Sequence, residues 1–103
     1  MRYFWLCLCI FASTQAIANE PSKQRQAELL NMLKHDCGSC HGLTLKGGLG
    51  SSLLAEDLAY KTDDYLVEVI QNGRKGTAMP PWNPFISEQE TRWLVQTQLK
   101  NKF

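Results

Sequence analysis

An all-α domain is expected from this sequence: three main helices joined by long loops that wrap around something other than the chain's own side chains. Three observations predict it. Apolar residues recur at three- and four-residue spacing in three separate segments. No segment shows the period-two alternation of a half-buried strand. Glycine and proline collect between the helical segments, over stretches unusually long for so small a domain.

The chain has 103 residues, room for one domain, and no internal repeat. Its start reads as an address. Met1 and Arg2 precede an apolar run from Tyr3 to Ala12, and Ala16, Ile17 and Ala18 form an A-x-A site, so residues 1–18 are expected to be a secretory signal peptide cleaved before Asn19. A membrane span would need about 20 apolar residues. This run breaks earlier, at Ser13, Thr14 and Gln15, so no stable membrane anchor is expected after cleavage. Cys7 and Cys9 leave with the signal, since Leu8 stands where a lipoprotein signal wants a small residue. The mature domain, 19–103, is then expected in the periplasm. It carries ten basic and ten acidic residues, because the signal holds one basic residue, Arg2, and no acidic one. Nothing in that balance steers towards nucleic acid, and a monomer is expected.

The first helix opens at Glu20, Pro21 and Ser22 and runs to about Lys34, with Ala27, Leu29, Leu30, Met32 and Leu33 as its apolar stripe. Four glycines between Gly42 and Gly50 then forbid a helix. A second helix starts near Thr62, places Asp63 and Asp64 in its positively polarised first turn, turns Leu66, Val69 and Ile70 to one face, and ends at Gly73. Beyond it Gly76, Pro80, Pro81 and Pro84 exclude regular structure, so something other than a backbone ladder must hold this loop. The last helix begins at Ser87, which pairs with Glu90 in a capping box, and runs to about Leu99 with Thr91, Leu94, Val95 and Leu99 facing inward. A domain of this size buries only about 60 per cent of its unfolded surface and needs an internal staple.

The staple is legible in Cys37, Gly38, Ser39, Cys40 and His41, which spell Cys-x-x-Cys-His, the attachment signature of haem c. Two thiols three positions apart reach the two vinyl groups on one haem edge, and the adjacent imidazole is delivered to the iron. One covalent haem c also supplies the missing core. Three other chemistries fit the motif less well. A thioredoxin-like pair opens a helix in a βαβ unit, whereas here a helix precedes the motif. Zinc wants four well-spaced ligands, but the mature chain offers only Cys37, Cys40, His35 and His41 packed together. A plain disulfide over so short a loop stabilises little and leaves His41 unexplained.

Few residues can serve as the sixth iron ligand. His35 lies two residues before Cys37 and is tied to the proximal side; Met32 belongs to the stripe of the first helix, as core filler. Met79 lies 38 residues after His41, in a loop stiffened by Pro80 and Pro81. With His41 and Met79 as axial ligands the iron has no vacant position, which disfavours catalysis and leaves electron transfer: a carrier and not an enzyme. A thioether also raises the potential.

With these residues in hand, the chain resembles the class I cytochromes c over almost all of its mature length. That resemblance implies terminal helices that cross beside the haem, with Leu94 packing towards the first helix, and a Met-Pro loop closing the far side. It assigns Cys37 and Cys40 to covalent attachment and His41 and Met79 to the iron. Where the family has Pro after Gly50, this chain has Ser51, whose carbonyl remains available to the imidazole. A narrower resemblance rests on residues 43–48 and on Gly73, Arg74, Met79, Pro80, Pro81, Trp82, Pro84 and Phe85, which look like the small NirC cytochromes associated with cytochrome cd1 nitrite reductase. It implies electron delivery to that enzyme in denitrification, from an upstream quinol-linked donor, or assistance in maturing its haem d1. Trp82 and Phe85 are expected to wall the haem pocket.

Overall fold

Ser22 opens the first helix because its Oγ accepts the Arg25 amide at 3.2 Å, relieving one of the unpaired N–H groups of the first turn. The computed structural model describes residues 20–100, and within them the chain forms helices and loops and no strand. The expected signal segment and its cleavage site lie outside those residues. Helix α1 spans Lys23–Met32. It does not stop near Lys34 as the apolar spacing predicts. It widens into a π-helical turn, Leu33–Cys37, and continues as α2, Gly38–His41, so the whole Cys-x-x-Cys-His motif is helical. Short polar and glycine residues give that segment little intrinsic helical tendency, and the loop that follows supplies what they lack. Gly42 ends the helix at φ 88°, and the amides of Gly47 and Gly50 donate to the carbonyls of His41 and Cys40 at 2.8 and 2.7 Å.

A four-residue helix, α3 (Ala55–Leu58), was not expected; it is too short to show a period. Its buried Leu58 anchors it, while Ser52 Oγ accepts the Leu54 amide and donates to Asp57. Helix α4 (Asp63–Asn72) has the expected bounds: Thr62 Oγ1 accepts the Tyr65 amide at 3.1 Å, and Gly73 closes the helix at φ 73°. Helix α5 (Glu88–Trp93) begins with both halves of the Ser87–Glu90 capping box and runs on as a π-helical turn, Leu94–Leu99.

Two small apolar clusters hold these elements. Leu58, Leu66, Val67, Val95 and Leu99 form one; Leu29, Ile86 and Leu94 form the other, where the first and last helices meet as the family resemblance implies. Thr91, Leu94, Val95 and Leu99 are buried as expected. The stripe of α1 is narrower than its spacing suggests: Leu29 is fully buried, but Ala27 and Leu30 are exposed. Arg25 adds a polar seam between the terminal helices, with Nε on Glu90 Oε2 at 2.5 Å and a terminal nitrogen on the Phe85 carbonyl at 3.0 Å. The Arg25 guanidinium holds the Glu90 carboxyl below its ordinary range. Lys100 makes a second seam, bonding Asp63 at 3.0 Å. Neither cluster is large, and the space between them is a cavity.

Candidate functional site

That cavity has a volume of about 360 Å³, within the span usual for small-molecule and cofactor sites. Cys37, Cys40, His41 and Met79 all line it, the first three from one helical segment and Met79 from the loop after α4. Leu33, Leu58, Leu66 and Ile70, from three helical elements, make its walls apolar. A second concavity of about 510 Å³ between α4 and α5 is lined by Asp64, Glu68, Glu88 and Arg92. It is polar and holds none of the residues that carry the motif.

His41 is oriented by its backbone surroundings. Its Nδ1 lies 2.7 Å from the Ser51 carbonyl oxygen, which can only accept, so Nδ1 carries the proton and Nε2 keeps a free lone pair. The carbonyl offered by a serine in place of the family's proline is thus in use. Gly50 makes this approach possible, because a Cβ there would stand 2.7 Å from the imidazole ring. Gly48 lies as close to the motif: its Cβ would fall 2.9 Å from the Cys40 carbonyl oxygen. The glycine-rich loop is therefore a fitted collar around the end of α2.

Cys37 and Cys40 are free thiols. Burial among apolar neighbours, helped by the Asp36 carboxylate, pushes the Cys37 thiol up to about 11. A redox-active pair has the opposite property, a thiol lowered towards neutrality, so this environment argues against a thioredoxin-like role.

Met79 is partly buried and reaches the cavity from a loop tied at both ends. On the near side, the Arg74 amide donates to the Met79 carbonyl at 3.3 Å, over Gly73, whose Cβ would come within 2.8 Å of that oxygen. On the far side, the Trp82 amide donates to Ile70 at 3.0 Å, and Asn83 Nδ2 donates to the Gln71 carbonyl at 2.8 Å. The ties expected in place of a ladder are these bonds to the end of α4. Trp82 lines the cavity, as a wall residue should. Phe85 does not: it is 63% exposed, stacked obliquely on Trp82 with ring centroids 5.8 Å apart, and its carbonyl accepts from Arg25. Met32 lines the cavity as well as packing on the Leu29 cluster, while His35 is exposed and does not line it. Lys61 and Arg74 are the two cationic side chains on the lining; Lys61 has no signal in the sequence, since an isolated charge carries no period.

An apolar slot with two thiols and an imidazole on one side and a thioether from the other side of the chain has the donor set that a planar iron porphyrin needs. The comparisons agree. The family described as "Cytochrome C oxidase, cbb3-type, subunit III" matches residues 24–96. Cytochrome c55X of Paracoccus denitrificans is 43% identical over 97 residues, covering 94% of this chain and 93% of that one. Cytochrome c55X of Stutzerimonas stutzeri is 48% identical over 85 residues, covering 82% and 75%. Among solved structures, a c-type cytochrome NirC is similar with a TM-score of 0.76 and 45% identity, over 80% of this chain and 95% of that one. Dihydro-heme d1 dehydrogenase NirN in complex with DHE is similar over only 15% of its own length and 69% of this chain, with a TM-score of 0.63 and 30% identity.

Proposed function

The chain belongs to the c-type cytochromes gathered in that family, and among them to the NirC type; from that premise we propose that it is a periplasmic electron carrier delivering single electrons to cytochrome cd1 nitrite reductase. One haem c would be held through thioethers from Cys37 and Cys40, with the His41 imidazole and the Met79 thioether as the groups that would ligate its iron. The observation that carries this reading is the convergence of those four side chains on one apolar cavity. When bound, the haem supplies a ferric/ferrous couple.

The chain's own residues set how that couple is used. Cys37 and Cys40 make the cofactor inseparable from the fold. Ser51 holds the His41 proton on Nδ1 and so keeps Nε2 aimed at the iron and more basic. Met79 offers a soft ligand that favours the reduced state. Leu33, Leu66 and Ile70 exclude water from the slot. With His41 and Met79 both committed to the iron, the chain would leave no place for peroxide or oxygen to bind, which favours electron transfer. Secretion through residues 1–18 puts the carrier in the compartment where haem c is attached.

One observation favours a second reading. The likeness to part of a dihydro-haem d1 dehydrogenase points towards a role in the biogenesis of haem d1. Two measurements separate the readings: rapid mixing of the reduced protein with mature nitrite reductase, and the haem d1 content of reductase from a deletion strain. Fast oxidation with normal haem d1 content is expected, with modest salt dependence because the mature chain's charges balance. Negligible oxidation, together with reductase lacking haem d1, would replace the carrier with the maturation role.

A further inference from the structure

Gln71 stands in the last turn of α4 and takes no part in the lining of the cavity. Its side-chain Nε2 donates to the Ile86 carbonyl at 3.0 Å and to Thr91 Oγ1 at 2.6 Å. Its backbone carbonyl accepts from the Asn83 amide at 3.2 Å and from Asn83 Nδ2 at 2.8 Å. Thr91 is 0% exposed and passes its own proton to the Ser87 carbonyl at 2.8 Å. A single residue therefore joins the end of α4, the chain leaving Met79 and the start of α5.

The loop depends on such a joint. Pro80 and Pro81 have no amide hydrogen, so between Met79 and Trp82 the backbone cannot donate a bond to anything. The first fixed points after Met79 are Trp82 on Ile70 and Asn83 on Gln71, followed by Phe85 on Arg25 and Ile86 on the Gln71 side chain. Without the Gln71 amide, the Ile86 carbonyl and the Thr91 hydroxyl each lose a donor, and the segment that sets the reach of Met79 loosens.

We propose that Gln71 is a positioning residue for Met79, holding its thioether on the iron by clamping the Asn83–Ile86 segment between α4 and α5. This rests on the reading of Met79 as the sixth ligand. An exogenous ligand competes only for the fraction of molecules in which Met79 has left, so its apparent affinity reports that fraction. The test titrates ferric holoprotein with imidazole and follows the sulfur-to-iron charge-transfer band. Gln71→Leu should bind imidazole about fivefold more tightly, the factor that one lost hydrogen bond of ordinary strength produces, and should lose the band at lower temperature than the parent. Asn83→Ala, at an exposed position, should shift the same readouts in the same direction and serves if Gln71→Leu fails to mature. Asn72→Ala removes a neighbouring bond, to Glu68 at 2.8 Å, that faces away from the loop, and should leave both readouts unchanged. Imidazole affinity equal to the parent's in Gln71→Leu, or in Asn83→Ala if that is the variant obtained, with the parent's band present, would overturn the clamp alone. A parent protein without the band would overturn Met79 ligation and the clamp together.

Discussion

The two faces of the cavity are built in different ways. On the His41 face everything is local: the two thiols, the imidazole, the carbonyl that orients it and the glycines that let it approach all lie between residues 37 and 51, joined by backbone bonds of 2.7–2.9 Å. On the Met79 face one side chain is held from a wider stretch, 70–91, through Arg74 in its own loop and through Ile70, Gln71 and Thr91 on the helices to either side. A locally built site fails as a unit. A site assembled from distant parts fails by degrees, because each tie can be lost without the others. The covalent side of the haem should therefore show all-or-none effects, and the thioether side graded ones.

The largest effect should come from Cys37→Ser combined with Cys40→Ser. Without the tethers, the cavity between two small clusters has no permanent occupant, and the double variant should lose haem colour on a denaturing gel and most of its helical circular dichroism. A variant that stays fully helical would show that the clusters suffice alone.

Two glycine substitutions sharpen the contrast. Gly50→Ala presses on the imidazole ring from 2.7 Å, and Gly73→Ala forces a side chain at φ 73° against the Met79 carbonyl at 2.8 Å. The second should cost about 2 kcal/mol or more in denaturant unfolding, the range for strained positive-φ backbone. It should also weaken the charge-transfer band. Gly50→Ala should perturb the histidine side and leave Met79 in place, so equal loss of the band in both variants would erase the distinction between the faces.

The faces differ in the same way in how legible they are. Cys37, Cys40 and His41 stand within five residues, and attachment chemistry demands that spacing, so the motif can be read directly, whereas its partner Ser51 is reached only through the family resemblance. The capped ends of α4 and α5 are equally legible, because Thr62, Gly73, Ser87 and Glu90 act within their own turns. Met79 stands out by elimination. Its supports do not: Gln71 and Thr91 are ordinary polar residues in helical periodicity, and only folding brings Gln71 within 2.6 Å of Thr91. The helical state of residues 37–41 is hidden for a related reason, since the loop at Gly47 and Gly50 completes its hydrogen bonds. Phe85 is misread as a wall because an aromatic residue near the ligand loop looks the same in the sequence whether its ring lines the cavity or, as here, stacks on Trp82 without lining it.

The smallest effect belongs to the seam between the terminal helices, which lies outside both faces. Glu90→Gln keeps the capping box but removes the charge opposite Arg25, and should cost about 1 kcal/mol or less at neutral pH, as for other partly exposed ion pairs. The sign follows from the carboxyl lying below its ordinary 4.5 in the fold. The pair's contribution is complete above about pH 4.5 and is lost as the pH falls through the lower folded value. Unfolding curves of parent and variant should thus converge on acidification and with added salt. A gap that widens in acid would contradict the pairing.

The central claim is that Met79 and His41 hold one iron between the two faces. The most direct measurement is the absorption of the ferric holoprotein, recorded for the parent and for Met79→Ala. A low-spin parent with a weak sulfur-to-iron charge-transfer band is predicted, with the band absent in the variant and its iron open to added imidazole or cyanide. A parent spectrum that Met79→Ala leaves unchanged would contradict the account and hand the sixth position to another group.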